Sequence, residues 1–342
     1  MRKWLFTAAA ILFAAVAAFL YYNYEKPIHI LAAGDILLDR GVEKYLDECG
    51  YDYSYKDIGE ELRKADLAFA NLECPLTGKG EPVLKKRKDL IFNGNIQNSK
   101  ALYDAGFDLL NLANNHSMDQ GREGLLDTVK MLEASGIRTL GAGTSRNEAH
   151  KPVFIEKRGI RVGFLGYSDF PPEGYIYAED KADVARPDLK TLGEEVRTAA
   201  KECDLLVVSF HWGKEFDHYP GETQLELAHE SIDNGADVVI GHHPHVLQGV
   251  EKYKGKLIFY SLGNFVFDRQ LPQGTDETAA VDISFDRRGW EKVRIIPLRI
   301  VDCKPAIAEG QEAADILGRY MTYSDGYGAE MDVVDGIGYI DR

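Results

Sequence analysis

The stretch GADVVIGHHPHVLQGVE, residues 235–251, sets three of the chain's nine histidines within four positions behind an apolar run. The run from Asp237 to Ile240 reads as a buried strand, and Gly241 marks its end. Pro244 fixes its own φ and biases His243 toward the extended region. Residues two apart in an extended segment project to one side, so His243 and His245 are expected to converge while His242 faces away. Taken alone, such a pair reads equally well as a polar loop with solvated imidazoles. The rest of the chain decides.

Working outward, apolar runs alternate with helix-like segments, the pattern of an α/β protein with helices packed on a parallel or mixed sheet. Five of the expected strands end in a side chain able to bind a metal. IHILAAGD ends at Asp35, LAFANLE at Glu73, FDLLNLANNH at Asn115 and His116, LLVVSFHWG at His211, and VVIGHHPH at His243 and His245. Each has a plainer reading: Asp35 as a helix cap, Glu73 as a solvated turn carboxylate, Asn115 as a turn residue, His211 as a packed strand end. In open α/β sheets, however, ligands bind beyond the carboxyl ends of the strands, and all five termini lie there. A set of imidazoles, carboxylates and an amide without thiolate suits Mn, Fe, Zn or a similar divalent ion.

The amino terminus points to a membrane. After Met1-Arg2-Lys3, the stretch from Trp4 to Tyr22 is uncharged and about long enough to cross a bilayer as a helix. Trp4 and the tyrosines Tyr21, Tyr22 and Tyr24 suit the two interfaces. Residues 1–25 are therefore expected to form a cytoplasmic end and signal anchor, with 26–342 as one extracytoplasmic domain. Ala15-Val16-Ala17 leaves a cleaved signal peptide as the alternative.

The remaining features narrow the possibilities. A net charge of −15 excludes a general nucleic-acid binder, which needs a basic field. Cys49, Cys74, Cys203 and Cys303 are widely spaced without a C-x-x-C, and read as buried or incidental thiols. The basic run Leu84-Lys85-Lys86-Arg87-Lys88 reads as a solvated loop face. Gly121 to Ser135 has helical spacing with Leu125, Leu126, Val129 and Leu132 as its core face, Ala279 to Val301 reads as a late hairpin, and the tail past a short helix after Gly310 has no evident place.

Six segments, GDILLDR, ANLECPLT, NLANNHSMDQGREGLLDT, SFHWGKEF, GADVVIGHHPHVLQGVE and YSLGNFVFD, occur in this order. Together they resemble the CapA family of bacterial capsule and poly-γ-glutamate biosynthesis proteins, from Ile28 to about Ile340. That family is similar in turn to calcineurin-like metallophosphoesterases. The resemblance implies a β-sandwich flanked by helices with a site for two divalent ions. Asp35 and His245 would serve the first ion and Asn115, His211 and His243 the second, with Glu73 bridging. His116 would be the imidazole acting on the reacting oxygen. Leu37 stands where the related enzymes place a histidine, so the first position would be short of a ligand unless His242 or Asp39 completes it. The implied partners are the cell membrane, membrane-bound poly-γ-glutamate synthase subunits and the anionic capsule polymer. The resemblance leaves open whether the chain is a metal-dependent hydrolase or a non-catalytic part of the assembly.

Overall fold

The structure, a computed structural model, describes residues 26–83, 86–172, 181–271 and 274–342. The expected anchor at residues 1–25 lies outside them. Among the described residues no helix is long and apolar enough to cross a membrane.

Two sheets lie face to face. The first is mixed: strands Ile28–Ile36, Leu67–Leu72, Leu109–Asn111 and Arg138–Leu140 run parallel in that order. On the other side of Ile28–Ile36 the sheet continues antiparallel through the hairpin Glu277–Asp286 and Gly289–Val301. The tail that had no evident place closes this sheet, with Ile337–Asp341 pairing along Gly289–Val301 and Asp332–Val334 at the edge. The second sheet runs in the order Leu247–Tyr253, Lys256–Leu262, Val238–His242, Leu205–His211, Ile160–Ser168 and Val153–Lys157.

Alternation along the strands builds the layers. Ile28, Ile30 and Ala32 of the first sheet meet Val162, Phe164, Val207 and Ile240 of the second in one apolar cluster, whereas Leu31 and Ala33 turn to the other face. That outer face is covered by helices including Gly41–Cys49, Asn98–Ala105 and Gly121–Ser135. Helices Leu192–Ala200 and Glu222–Asp233 cover the outside of the second sheet. The expected fold class, mixed α/β with sheets sandwiched and helices outside, describes this arrangement. One helix is rotated from its expected face. In Gly121–Ser135, Leu125 and Leu132 are buried, but Thr128 and Asp127 are buried where Leu126 and Val129 are only half so. Thr128 Oγ1 accepts the Leu76 N–H at 3.0 Å and Asp127 accepts from the Thr77 hydroxyl at 2.7 Å. Polar docking of the Glu73–Thr77 turn outranks the apolar stripe here.

All the parallel strands of both sheets that carry a candidate ligand end on one edge of the sandwich. Asp35, Glu73, Asn115, His211 and His243 are thereby delivered to a single place.

Candidate metal centre

Asp35 lies at the end of strand Ile28–Ile36, where pairing with Asn264–Val266 slips register. Gly34 makes the crossing possible, because a Cβ there would sit 2.1 Å from the Gly263 carbonyl oxygen. The close approach lets the Asp35 N–H donate to Gly263 O at 3.0 Å. The carboxylate itself is fully buried and densely held. Oδ1 accepts from Asn71 Nδ2 at 2.8 Å and Oδ2 accepts from the His243 backbone N–H at 3.0 Å. His242 Nδ1 lies 3.3 Å from Oδ1, and His245 Nδ1 lies 3.7 Å from Oδ2. Burial alone would push its pKa up, but these imidazoles and the His243 N–H together hold it below the ordinary carboxylate value.

Glu73 is held differently. Its Oε1 lies 4.0, 3.9 and 3.8 Å from Nε2 of His116, His211 and His245. Its Oε2 is buried without a hydrogen-bond partner. Burial first, then repulsion from Asp35 and Glu215, pushes this carboxyl well above its usual range. An orphaned buried carboxyl oxygen costs about 1–3 kcal/mol, and no hydrogen-bond donor among the described residues relieves it.

The imidazoles complete the set. His211 Nε2 lies 2.9 Å from Asn115 Oδ1 and 3.1 Å from His243 Nδ1. Burial, followed by the neighbouring imidazoles, holds His211 well below its ordinary pKa, and burial pushes His243 down to about 3. Both are neutral near pH 7 and keep lone pairs for an electrophile. His245 Nδ1 lies 2.9 Å from Asn264 Oδ1, which accepts the ring N–H and leaves Nε2 facing Glu73.

Two triplets emerge, each with one candidate ligand atom per residue and all atoms within 4.8 Å: Asp35, Glu73 and His245, and Glu73, His211 and His243. They share Glu73. A third, Glu215 with His243 and His245, includes an exposed carboxylate. The donor chemistry, the shared carboxylate and the orphaned Oε2 fit a divalent ion or a pair of them.

Several details differ from expectation. His243 and His245 do converge, but through left-handed backbone, with φ of 95° and 59°, rather than an extended segment. Such conformations are strained for residues with a Cβ and persist where the surroundings impose them. His242 does not face away; it is fully buried, extends the strand by one residue past Gly241 and lies against Asp35. Asp39, the other residue expected as a possible completion of the first position, accepts the Arg40 and Asn93 N–H groups on its two oxygens at 2.6 and 2.7 Å. Leu37 is buried in the apolar cluster on the helix side of the first sheet.

His116 stands beside the centre. Its Nδ1 lies 2.9 Å from Asp119 Oδ2, its ring stacks on Phe92 with centroids 4.1 Å apart, and its Nε2 points to Glu73. Burial lowers its pKa against the opposing pull of Asp119. Within the run expected as a solvated loop face, Arg87 and Lys88 are exposed, but Lys86 departs from that reading: it is buried, bonds Asp119 Oδ1 at 2.8 Å and reaches His116 Nδ1 at 3.0 Å. Asn71, Asn264, Asp119 and Lys86 were thus not evident as site residues. Asn71 and Asn264 lie inside two of the six segments, ANLECPLT and YSLGNFVFD, and that was their signal.

The family described as "Bacterial capsule synthesis protein PGA_cap" matches residues 29–269. The chain belongs to that family. It is 33% identical over 316 residues to the PGA biosynthesis protein CapA of Bacillus subtilis, covering 89% of this chain and 83% of the relative. It is 34% identical over 296 residues to the capsule biosynthesis protein CapA of Bacillus anthracis, covering 85% and 72%. Among solved structures it is similar in fold to a hypothetical protein from Thermus thermophilus, with a TM-score of 0.52 at 17% identity, covering 80% of this chain and all of the other.

Proposed function

We propose that this chain is a membrane-anchored component of capsule or poly-γ-glutamate assembly whose outer domain carries a divalent-metal centre of the metallophosphoesterase type. In this reading residues 1–25 anchor the chain and residues 26–342 lie outside, close to synthase subunits and the anionic polymer. Asp35, Glu73 and His245 would hold one ion and Glu73, Asn115, His211 and His243 a second. The observation that carries the reading is the convergence of both triplets on Glu73, one of whose oxygens has no hydrogen-bond partner among the described residues. Family membership supports the pathway.

Ions bound there would supply Lewis acidity and a water of lowered pKa. The chain's own contribution is positional. Asn71 and the His243 N–H orient Asp35, Asn264 orients His245, and Asp35, Glu73, His211 and His243 are themselves buried.

His116 favours a second reading, in which the centre is hydrolytic. Its Nδ1 is engaged by Asp119, so Nε2 is the atom free to hold or deliver a proton beside Glu73. The two readings share one test. Elemental analysis of the full chain in detergent should find about one to two equivalents of a divalent metal. Turnover of a phosphodiester and of poly-γ-glutamate then separates a catalyst from a binding component. A protein that takes up no divalent metal sinks both. Protease added to intact cells should remove the region beyond Glu25, and protection of His211 would refute the anchored topology.

A further inference from the structure

Two of the six segments end in residues that the metal reading does not use, Arg40 of GDILLDR and Asp268 of YSLGNFVFD. The fold brings them together at the mouth of the centre. A cavity of about 230 Å³ opens on Glu73, His116 and His245, and Arg40 lies in its wall with Phe92, Phe267 and Asp268.

Arg40 is held from several directions. One Nη2 hydrogen donates to Asp268 Oδ1, whose other oxygen accepts the Gly41 N–H at 2.9 Å. The guanidinium carbon lies 4.7 Å from the centre of the Phe92 ring and 5.6 Å from that of Phe267. Phe92 is also the ring on which His116 stacks, so one aromatic side chain touches both the cation and the imidazole beside the centre. The Arg40 backbone is left-handed, with φ 54° and ψ −121°, a conformation that costs energy and is imposed by its surroundings. The side chain is only 14% exposed. The hydrogen bond of the guanidinium runs from Nη2, and among the described residues Nε is buried without a hydrogen-bond partner.

A guanidinium held by a carboxylate and two rings in a cavity wall, with donors left unpaired, is a poor stabilising device. It retains a forked donor whose geometry matches an oxyanion. Asp268 already carries the charge of Arg40 on one side, and Arg269 Nε stands 3.7 Å from the same carboxylate, so the cavity wall is not left net negative at this point. We propose that Arg40 is a specificity residue that binds an oxyanion, a carboxylate or a phosphate, on the ligand occupying the cavity beside Glu73 and His116. The inference rests on the metal-centre reading only for what lies at the cavity floor.

The test uses the full chain in detergent and two probes, orthophosphate and γ-linked tetraglutamate, titrated calorimetrically against the unmodified protein, R40Q and R40K. Metal content and thermal midpoint are measured on each sample. The unmodified protein should bind at least one probe, and which one it binds identifies the oxyanion. R40Q should keep its metal and lose roughly tenfold or more in affinity for that probe, the scale of a lost charge-assisted bond. R40K, which retains the charge and the Asp268 pairing but not the fork, should fall between the two, and it serves as the decisive variant should R40Q prove unstable. Affinity unchanged in both variants overturns the proposal, as does an unmodified protein that binds neither probe. Arg40-dependent binding in a protein devoid of metal would refute the metal reading alone, and metal binding with Arg40-independent affinity would refute this one alone.

Discussion

The centre and two other histidine clusters use the same residue types to opposite ends. His150 Nδ1 lies 2.9 Å from Glu195 Oε2, which also accepts the Tyr167 hydroxyl at 2.8 Å. His229 Nε2 lies 3.0 Å from Glu251 Oε2, which accepts the Tyr260 hydroxyl as well. Each trio has one imidazole, one carboxylate and one phenol, and the donors and acceptors match. At the centre, three imidazoles, an amide oxygen and two carboxylates face one another, and acceptors outnumber the protons available. A histidine beside a carboxylate is therefore no sign of a metal; an excess of lone pairs around a shared carboxylate is.

The largest expected effect breaks the comparison at its root. Glu73→Gln removes the carboxylate shared by both triplets and should lower metal affinity by on the order of 100-fold or more, beyond the range seen for residues that merely orient a ligand. His150→Ala and His229→Ala should leave metal content at the unmodified level while lowering the thermal midpoint. Metal loss in either of those two, or retention in Glu73→Gln, would dissolve the distinction.

A smaller effect sharpens it. The Asn264 side chain accepts the Nδ1–H of His245 and is itself held by donation to Thr275 O at 3.0 Å. Asn264→Ala frees the ring to turn and should weaken metal binding by about 10- to 100-fold, measured by competition with a chelator of known affinity. An unchanged affinity would mean that the imidazole is held by packing alone.

How far the sequence reveals these regions follows from what each residue depends on. The proximity of Asp35, Glu73, Asn115, His211, His243 and His245 is legible because strand ends in a parallel sheet share an edge, so local pattern predicts remote proximity. The second layer is not. Asn71 and Asn264 look like ordinary turn and strand amides until the fold places them 2.8 and 2.9 Å from Asp35 and His245. Lys86 reads as solvated because its loop is basic, and its burial depends on partners remote in sequence such as the Asp119 carboxylate, 33 residues away. The positive φ of His243 and His245 was hidden by Pro244, whose usual effect on its predecessor is overridden here by the Asp35 contact to the His243 N–H. The closing strands at 332–341 carry too little apolar periodicity to be placed without the hairpin they pair with.

In the trios, removing the phenol should cost stability and leave metal uptake unchanged. Tyr260→Phe takes one of two donors from the Glu251 carboxylate while leaving the buried ring in place, so about 1–2 kcal/mol should be lost in denaturant titration. A neutral result would show that His229 alone satisfies Glu251.

Mild acid should separate the two kinds of cluster without any substitution. In the metal-free protein His243 is held down to about 3, whereas its unfolded value is near 6.5. Between these values the unfolded chain binds a proton that the folded chain refuses. The stability this imidazole permits is whole above pH 6.5 and falls as the pH drops toward 3, by about 1.4 kcal/mol per unit for this residue. His211 is displaced in the same direction and adds to the loss. In the trio, Glu195 sits below its ordinary value: burial opposes the charge, but the His150 and Tyr167 contacts outweigh it. Its contribution is present above about pH 4.5 and is lost only as the pH falls further. Acidification from about pH 6.5 to about 5.5 should therefore destabilise the metal-free protein through His243 and His211, against the opposite effect of Glu73, whose raised pKa favours the protonated folded form, while the Glu195 contribution stands. His243→Asn should flatten the slope over that interval, and Glu195→Gln should not. Added divalent metal should shift the loss to lower pH, because an ion on His243 competes with the proton. A slope that survives His243→Asn unchanged would place the acid sensitivity outside the centre.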